Sequence, residues 1–83
     1  LNEWREQNPL RSWRHRTKTH ATTVARRLDV SNITIMHWEK GDKTPKPENL
    51  KAIGRLIGDP KIRLTWARWQ ANDPRLVEGE GVA

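Results

Sequence analysis

Nine basic side chains (Arg11, Arg14, Arg16, Lys18, Arg26, Arg27, Lys40, Lys43 and Lys46) stand between residues 11 and 46, against three acidic ones, Asp29, Glu39 and Asp42. That segment alone holds a formal +6, which is the net charge of the whole 83-residue chain, so the charges elsewhere cancel. A cationic surface confined to one segment concentrates a polyanion and speeds its capture, nucleic acid and anionic lipid being the usual partners. A solvated face that only aids solubility is the alternative. Groups for other chemistry are missing. The chain has no cysteine, which excludes thiol catalysis, a Cys-ligated zinc site and a disulfide scaffold. His15, His20 and His37 have no i, i+4 pairing, so no metal site is expected. Without a glycine-rich phosphate loop or a His–carboxylate constellation, no catalytic residue and no cofactor is expected either.

The elements that must position these cations fit one small domain. Only 34% of the residues are apolar, and no run approaches the ~18 to 20 apolar residues that a membrane span needs. The N-terminus, LNEWREQNPL, lacks the basic-then-apolar layout of a secretory signal. Leu1 stands where an initiator Met would, so a trimmed domain or processed product is expected.

Helix punctuation then divides the chain. Asn8-Pro9 places a favoured N-cap before a proline at the first helical position, predicting a helix that the polar Thr17, Lys18 and Thr19 end. Ala21, Val24, Ala25 and Leu28 recur at i, i+3, i+4, i+7 and write a second helix with one apolar stripe. Asp29 falls where a tight turn needs a left-handed residue, a conformation that Asp tolerates better than most. Ser31 caps a third, short helix that Gly41 ends. After a proline-stiffened connector, Pro47 opens a fourth helix with Leu50, Ile53 and Ile57 inward and Gly58 past its end. Asp59-Pro60 repeats the cap-then-proline signature for a fifth, carrying Ile62, Trp66 and Trp69. No segment alternates with period two. The expected fold is all-α, a compact bundle of about five short helices. Residues 1–8 are expected as a partly ordered extension, 9–70 as the domain, and 71–83 as a disordered tail without a buriable face.

Residues Val24 to Gly41 read VARRLDVSNITIMHWEKG and resemble the helix-turn-helix core of the XRE family of Cro-like and phage-repressor-like DNA-binding domains. The matching positions are Ala25, Leu28, Val30, Ser31, Thr34, Ile35, Trp38, Glu39, Lys40 and Gly41. The likeness extends over about residues 9 to 64, since the proline connector and the Glu48, Asn49, Leu50, Ile53, Leu56, Ile57, Gly58 pattern are similar to the family's next helix. Two departures stand out. The glycine usual in the turn is Asp29, and the glutamine that usually opens the helix before it is Ala21, which removes one side-chain phosphate contact from the family scheme.

Helical rotation read from the residues agrees. At about 100° per residue, Ile35 and Trp38 lie within about 40° of Ser31 and point inward, while Ile33, Met36 and His37 point away. A short helix that shows isoleucine, methionine and histidine to solvent is built to touch something, unless another helix covers it. A major groove admits such a helix and offers thymine methyls and hydrogen-bonding base edges. Family geometry implies base contacts from Asn32, Ile33 and His37 with Met36 flanking, and a phosphate contact near Thr34; of these, Asn32 has the amide that can bond adenine bidentately. Arg16, Lys18, Lys40, Lys43 and Lys46 are the expected phosphate contacts, which position without reading sequence. Glu39 sits on the inward side of the same helix, and the resemblance implies an ion pair with Arg14.

Trp13 and Trp38 are expected in the core. Trp66 and Trp69 either cap the core or supply a dimer surface. The resemblance implies a sequence-specific regulator of transcription, a repressor among its variants, with a recognition helix at about 32–39 in the major groove of double-stranded DNA. Binding as a homodimer on a two-fold-related site is expected, in a cytoplasmic, bacterial or phage-encoded, nucleoid-associated protein without a membrane partner. The alternative is a protein-interaction module, of antitoxin or accessory-regulator type, using Ile33, Met36, Trp66 and Trp69.

Overall fold

In the computed structural model, which describes residues 1–76, helix ends are set by prolines, by left-handed residues and, at two N-termini, by a side chain that accepts from backbone N–H groups the helix leaves open. Six α-helices lie wholly within the described residues: α1 (Asn2–Glu6), α2 (Pro9–Thr17), α3 (Ala21–Leu28), α4 (Asn32–Lys40), α5 (Pro47–Ile57) and α6 (Ile62–Ala71). No strand occurs among them, so the fold is all-helical.

The Asn8 carboxamide oxygen caps α2, accepting from the N–H groups of Leu10 (3.0 Å) and Arg11 (2.9 Å), with Pro9 at the first position. Lys18 ends that helix in the left-handed region (φ 55°). Between α3 and α4 the chain turns through Asp29, Val30 and Ser31. Asp29 takes the left-handed conformation there (φ 56°, ψ 47°) that glycine would reach more cheaply, and the Ser31 hydroxyl accepts from Thr34 N–H at 3.1 Å to start α4. Pro47 opens α5 and Gly58 closes it. The fifth expected helix begins two residues later than its Asp-Pro signature, because the Asp59 carboxylate accepts from Lys61 N–H (2.8 Å) and holds Pro60 and Lys61 in a turn.

Packing joins α3 to α4 and α5 to α6, with α2 lying against α5 and α6. The core gathers one stripe from each: Leu10, Val24 and Ala25, Ile35 and Trp38, Leu50 and Ile53, and Ile62, Trp66 and Trp69, while Trp13, Leu28 and Leu56 pack half-buried against it. Gly54 permits the approach of α6 to α5, since a Cβ there would lie 2.7 Å from both the Asp59 carbonyl and the Ile62 side chain. Burial of apolar surface of this kind supplies roughly 25 cal/mol per Å² and is the main favourable contribution to folding.

Two expectations about the ends require correction. Residues 1–8 are not merely an extension: α1 is a sixth helix, and its Trp4 belongs to the core. Trp4 and Trp69 stack with ring centroids 4.1 Å apart and planes within 2°. Each indole N–H donates to the other residue's backbone carbonyl, at 2.7 and 2.8 Å. Trp66 stands edge-on to Trp69 at 5.7 Å. The possible dimer surface at Trp66 and Trp69 is therefore corrected to core, with relative exposures of 1% and 6%, because α1 covers what would otherwise be an open aromatic face.

The tail expectation, 71–83, also fails for residues 71–76, of which Ala71 is the last residue of α6. Asp73 is buried, and its carboxylate accepts from Arg75 N–H (2.9 Å) at the start of a helical turn over residues 74–76. The rest of that expectation, over 77–83, lies outside the described residues. No helix among the described residues is long and apolar enough to cross a membrane.

Candidate nucleic-acid interface

Helix α4 owes its two-sidedness to residues spaced three and four apart. Ile35, Trp38 and Glu39 turn inward and are buried. On the other side Ile33 is 61% exposed and Met36 47%, both large apolar groups left in water, and Asn32 is exposed beside them. His37 is half-buried, and its Nδ1 is buried with no hydrogen-bond partner. The Asn32 amide N–H donates to the Thr22 hydroxyl of α3 at 3.2 Å, which leaves its carbonyl oxygen and second N–H facing outward chemistry. Thr34 is half-buried and its hydroxyl pairs with that of Ser31 (2.9 Å), so its side chain serves the helix cap.

The inward side is fixed by one ion pair. Arg14 Nε and Nη2 donate to the two Glu39 oxygens at 2.7 Å each, a bidentate fork that crosses from α2 to α4. Arg14 Nη1 adds a bond to the Thr19 carbonyl (3.2 Å), and the side chains keep exposures of only 14% and 6%. The hydrogen bonds to Glu39 raise the Arg14 guanidinium above its ordinary value, against the opposing effect of burial. Helix α4 is thereby anchored to α2.

Along the chain the expected phosphate-contacting cations fall in two groups. Arg16 and Lys18, exposed, lie at the end of α2, before α3. Lys40, half-buried, and Lys43 and Lys46, exposed, follow along the end of α4 and its connector to α5. In the chain the first group precedes α3 and the second begins at the last residue of α4, and of the five Lys40 lines a concavity together with Asn32 and Met36. A further pair was not singled out from the sequence. Arg11 and His15, one turn apart on α2, line a concavity of about 330 Å³ together with Asn32, Met36 and Lys40. Their i, i+4 spacing on one face of α2 is the signal that could have found them. A larger hollow of about 620 Å³ lies between α5 and α6, lined by Lys51, Gly54, Arg55 and Ile62 among others, and includes no residue of α4.

The acidic residue of the connector, Asp42, is also engaged. Arg75 Nη1 donates to its Oδ1 at 2.7 Å, and this bond holds the Asp42 carboxyl below the usual carboxylate range. Asp73, bonded to the same arginine through Nε and Nη2, is lowered for the same reason. Neither Arg75 nor Asp73 was expected to matter. The Asp73-Pro74 pair carries the cap-then-proline signature of Asn8-Pro9 and could have signalled an ordered turn.

Among the described residues, no three His, Asp or Glu side chains gather where they could hold a metal ion. The outer face of α4 carries apolar and amide groups, the kinds of group that can meet thymine methyls and base edges in a nucleic-acid groove.

Comparison with known proteins agrees with this geometry. A helix-turn-helix family model (HTH_3) matches residues 10–58, the span from α2 to the end of α5. No curated protein and no solved structure matches the chain. The family match covers more than half of the sequence, and α3, its short turn and α4 lie within it; the chain belongs to the XRE-type helix-turn-helix family of DNA-binding transcription regulators.

Proposed function

We propose that this regulator reads a specific double-stranded DNA sequence by laying α4 in the major groove, and that it does so as a homodimer on a two-fold-related site. The observation that carries the reading is the outer face of α4, where Ile33 and Met36 remain exposed on a helix whose inner face is buried and ion-paired. Ile33 has no donor or acceptor, so its use in a groove is van der Waals contact with a thymine methyl. Asn32 presents the acceptor and donor that match adenine, with Thr22 fixing which way its amide points. Met36 and His37 extend the same face toward neighbouring base pairs. Arg16, Lys18, Lys40, Lys43 and Lys46 bond phosphates on either side, and Thr34 lies near the backbone. In the dimer, the two recognition helices would enter successive major grooves about one helical turn apart.

Selection of bound duplexes from a random pool tests this, run with the wild type, Ile33→Ala and Asn32→Ala. The wild type is expected to enrich a two-fold-related sequence. Ile33→Ala should fold normally and weaken the selected site by roughly 1 to 3 kcal/mol with little change on unrelated DNA. Asn32→Ala should relax preference at an adjacent base pair. Selection of the same sequence by all three proteins, or of none by the wild type, would remove α4 as the reading element.

A further inference from the structure

Arg5 and Arg75, on either side of the segment that matches the family, converge on the C-terminal end of α4. The last carbonyls of a helix have no partner within it and carry the negative end of its dipole. Here the Lys40 carbonyl accepts from Arg5 Nε (3.1 Å) and from Arg75 Nη2 (3.3 Å), and the Gly41 carbonyl accepts from Arg75 Nη2 (3.1 Å). Asp42, next along the chain, receives Arg75 Nη1 at 2.7 Å, with Arg5 Nη2 3.7 Å away. Arg75 is itself fixed by Asp73, and its guanidinium lies 5.5 Å from the centre of the Trp4 ring. That ring also rests over Gly41, whose left-handed φ of 76° and missing Cβ make room for it.

The same place carries the connector lysines. Lys40 and Lys43 flank Asp42, and the N–H groups of Asp42 and Lys43 both donate to the His37 carbonyl (3.0 and 3.3 Å), so the start of the connector continues the last turn of α4. Left alone, an Asp42 carboxylate beside the open carbonyls of the helix end would repel a phosphate approaching those lysines. Two arginines answer both problems, neutralising the carboxylate and tying the carbonyls.

We infer that Arg75, assisted by Arg5, is a positioning residue for DNA binding: it holds the end of α4 and masks Asp42, so that Lys40, Lys43 and Lys46 meet the phosphate backbone from a rigid cationic edge. The inference rests on the DNA reading proposed above. It assigns to the chain ends a role in binding that they exert through the helix end, without touching DNA.

The test compares the full chain with Arg75→Gln and, as a charge control, Arg68→Gln at an exposed position of α6. Binding to the duplex selected by the wild type and to an unrelated duplex is measured at several salt concentrations, and amide exchange is followed at Asp42 and Lys43. Arg75→Gln should bind both duplexes roughly tenfold more weakly, keep the same sequence preference and the same salt slope, and exchange faster at those two amides while Val24 and Ile53 stay protected. Arg68→Gln should bind nearly as the wild type does. Arg75→Lys, which keeps the charge but cannot span the carbonyls and both carboxylates, should lie between wild type and Arg75→Gln; it also serves if Arg75→Gln fails to fold. Faster exchange in either Arg75 variant with undiminished binding would overturn the inference. So would a salt slope shallower by about one ion, since that marks a direct phosphate contact. A wild type that selects no sequence refutes the DNA reading itself, an outcome separate from either of these.

Discussion

The span from α2 to α5 takes its shape from bonds between near neighbours, whereas the two ends take theirs from bonds that cross much of the chain. Asn8 caps two residues ahead, and Ser31 three residues ahead. By contrast the Trp4–Trp69 pair joins residues 65 apart, Arg5 reaches 35 residues to the Lys40 carbonyl, and Arg75 reaches back 33 to Asp42. Local punctuation makes the helix-turn-helix motif; long-range contacts then bring α1 against α6 and tie off the end of α4. One long-range bond inside the motif is the exception, the Arg14–Glu39 fork, which fixes how α4 sits on α2.

If the ends are integral to the core, breaking their joint should have the largest effect of any single change. Trp4→Ala deletes the stack on Trp69 and one of the two indole bonds, and opens the aromatic core to water. A loss of about 3 to 5 kcal/mol in urea unfolding is expected. A loss below about 1 kcal/mol, typical of surface changes, would mean that α1 is an appendage and that the family-matched span stands without it.

Arg14→Ala asks the corresponding question of the motif. It leaves the buried Glu39 carboxylate without its fork, at an expected cost of about 3 kcal/mol, the lower end of the range for broken buried pairs because Arg14 retains some exposure. Exposed pairs are worth under about 1 kcal/mol, so denaturant unfolding separates the two cases. The variant should also bind DNA poorly at temperatures where it is still folded, since α4 would be free to shift on α2.

This division explains what could be read from the residues. The boundaries of α2 to α5 were legible because Asn8-Pro9, Asp29, Ser31, Gly41, Pro47 and Gly58 act on their immediate neighbours. Rotation alone gave Ile33 and Met36 their outward places on α4, whereas His37, read outward in the same way, is half-buried with its Nδ1 enclosed. Helix α1, with five residues, is too short to show a period, and nothing near Trp4 in the sequence points to Trp69. The same blindness left Trp66 and Trp69 undecided between core and surface, because the answer depends on whether a distant helix lies over them. Arg75 was read as part of a faceless tail for the same reason: its partners Asp42 and the α4 carbonyls lie more than thirty residues away.

A smaller effect is expected where the two regions meet at the connector. Lys43 is exposed and follows the Asp42 that the chain ends neutralise. Lys43→Ala should weaken all duplexes alike and make the salt slope shallower by ~1, because it removes one phosphate contact and no base contact. Measured against Arg75→Gln, which should leave the slope unchanged, it distinguishes a residue that touches the backbone from one that positions its neighbours. A change in preferred sequence would instead place Lys43 at a base edge.

Acid should release the ends with the smallest effect on overall stability. Asp42 and Asp73 are both held below the usual carboxylate range by hydrogen bonds from Arg75. A carboxyl whose folded value is depressed adds stability that is present above its unfolded value, near ~3.9, and is lost as the pH falls through the folded one. The contribution of the Arg75 cluster should therefore be constant from neutral pH down to about 4 and fade below that. Asp42 is partly exposed, so the amount is small, under about 1 kcal/mol. The difference in unfolding free energy between wild type and Arg75→Gln follows it: that difference should shrink in acid toward the part contributed by the bonds to the Lys40 and Gly41 carbonyls and the contact with the Trp4 ring, with exchange at the Asp42 and Lys43 amides rising in the wild type over the same range. A difference that stays constant through pH 3 would show that Arg75 acts through the Lys40 and Gly41 carbonyls and the Trp4 ring, which do not titrate, and would shift the anchoring of the recognition helix from the two carboxylates to its own backbone end.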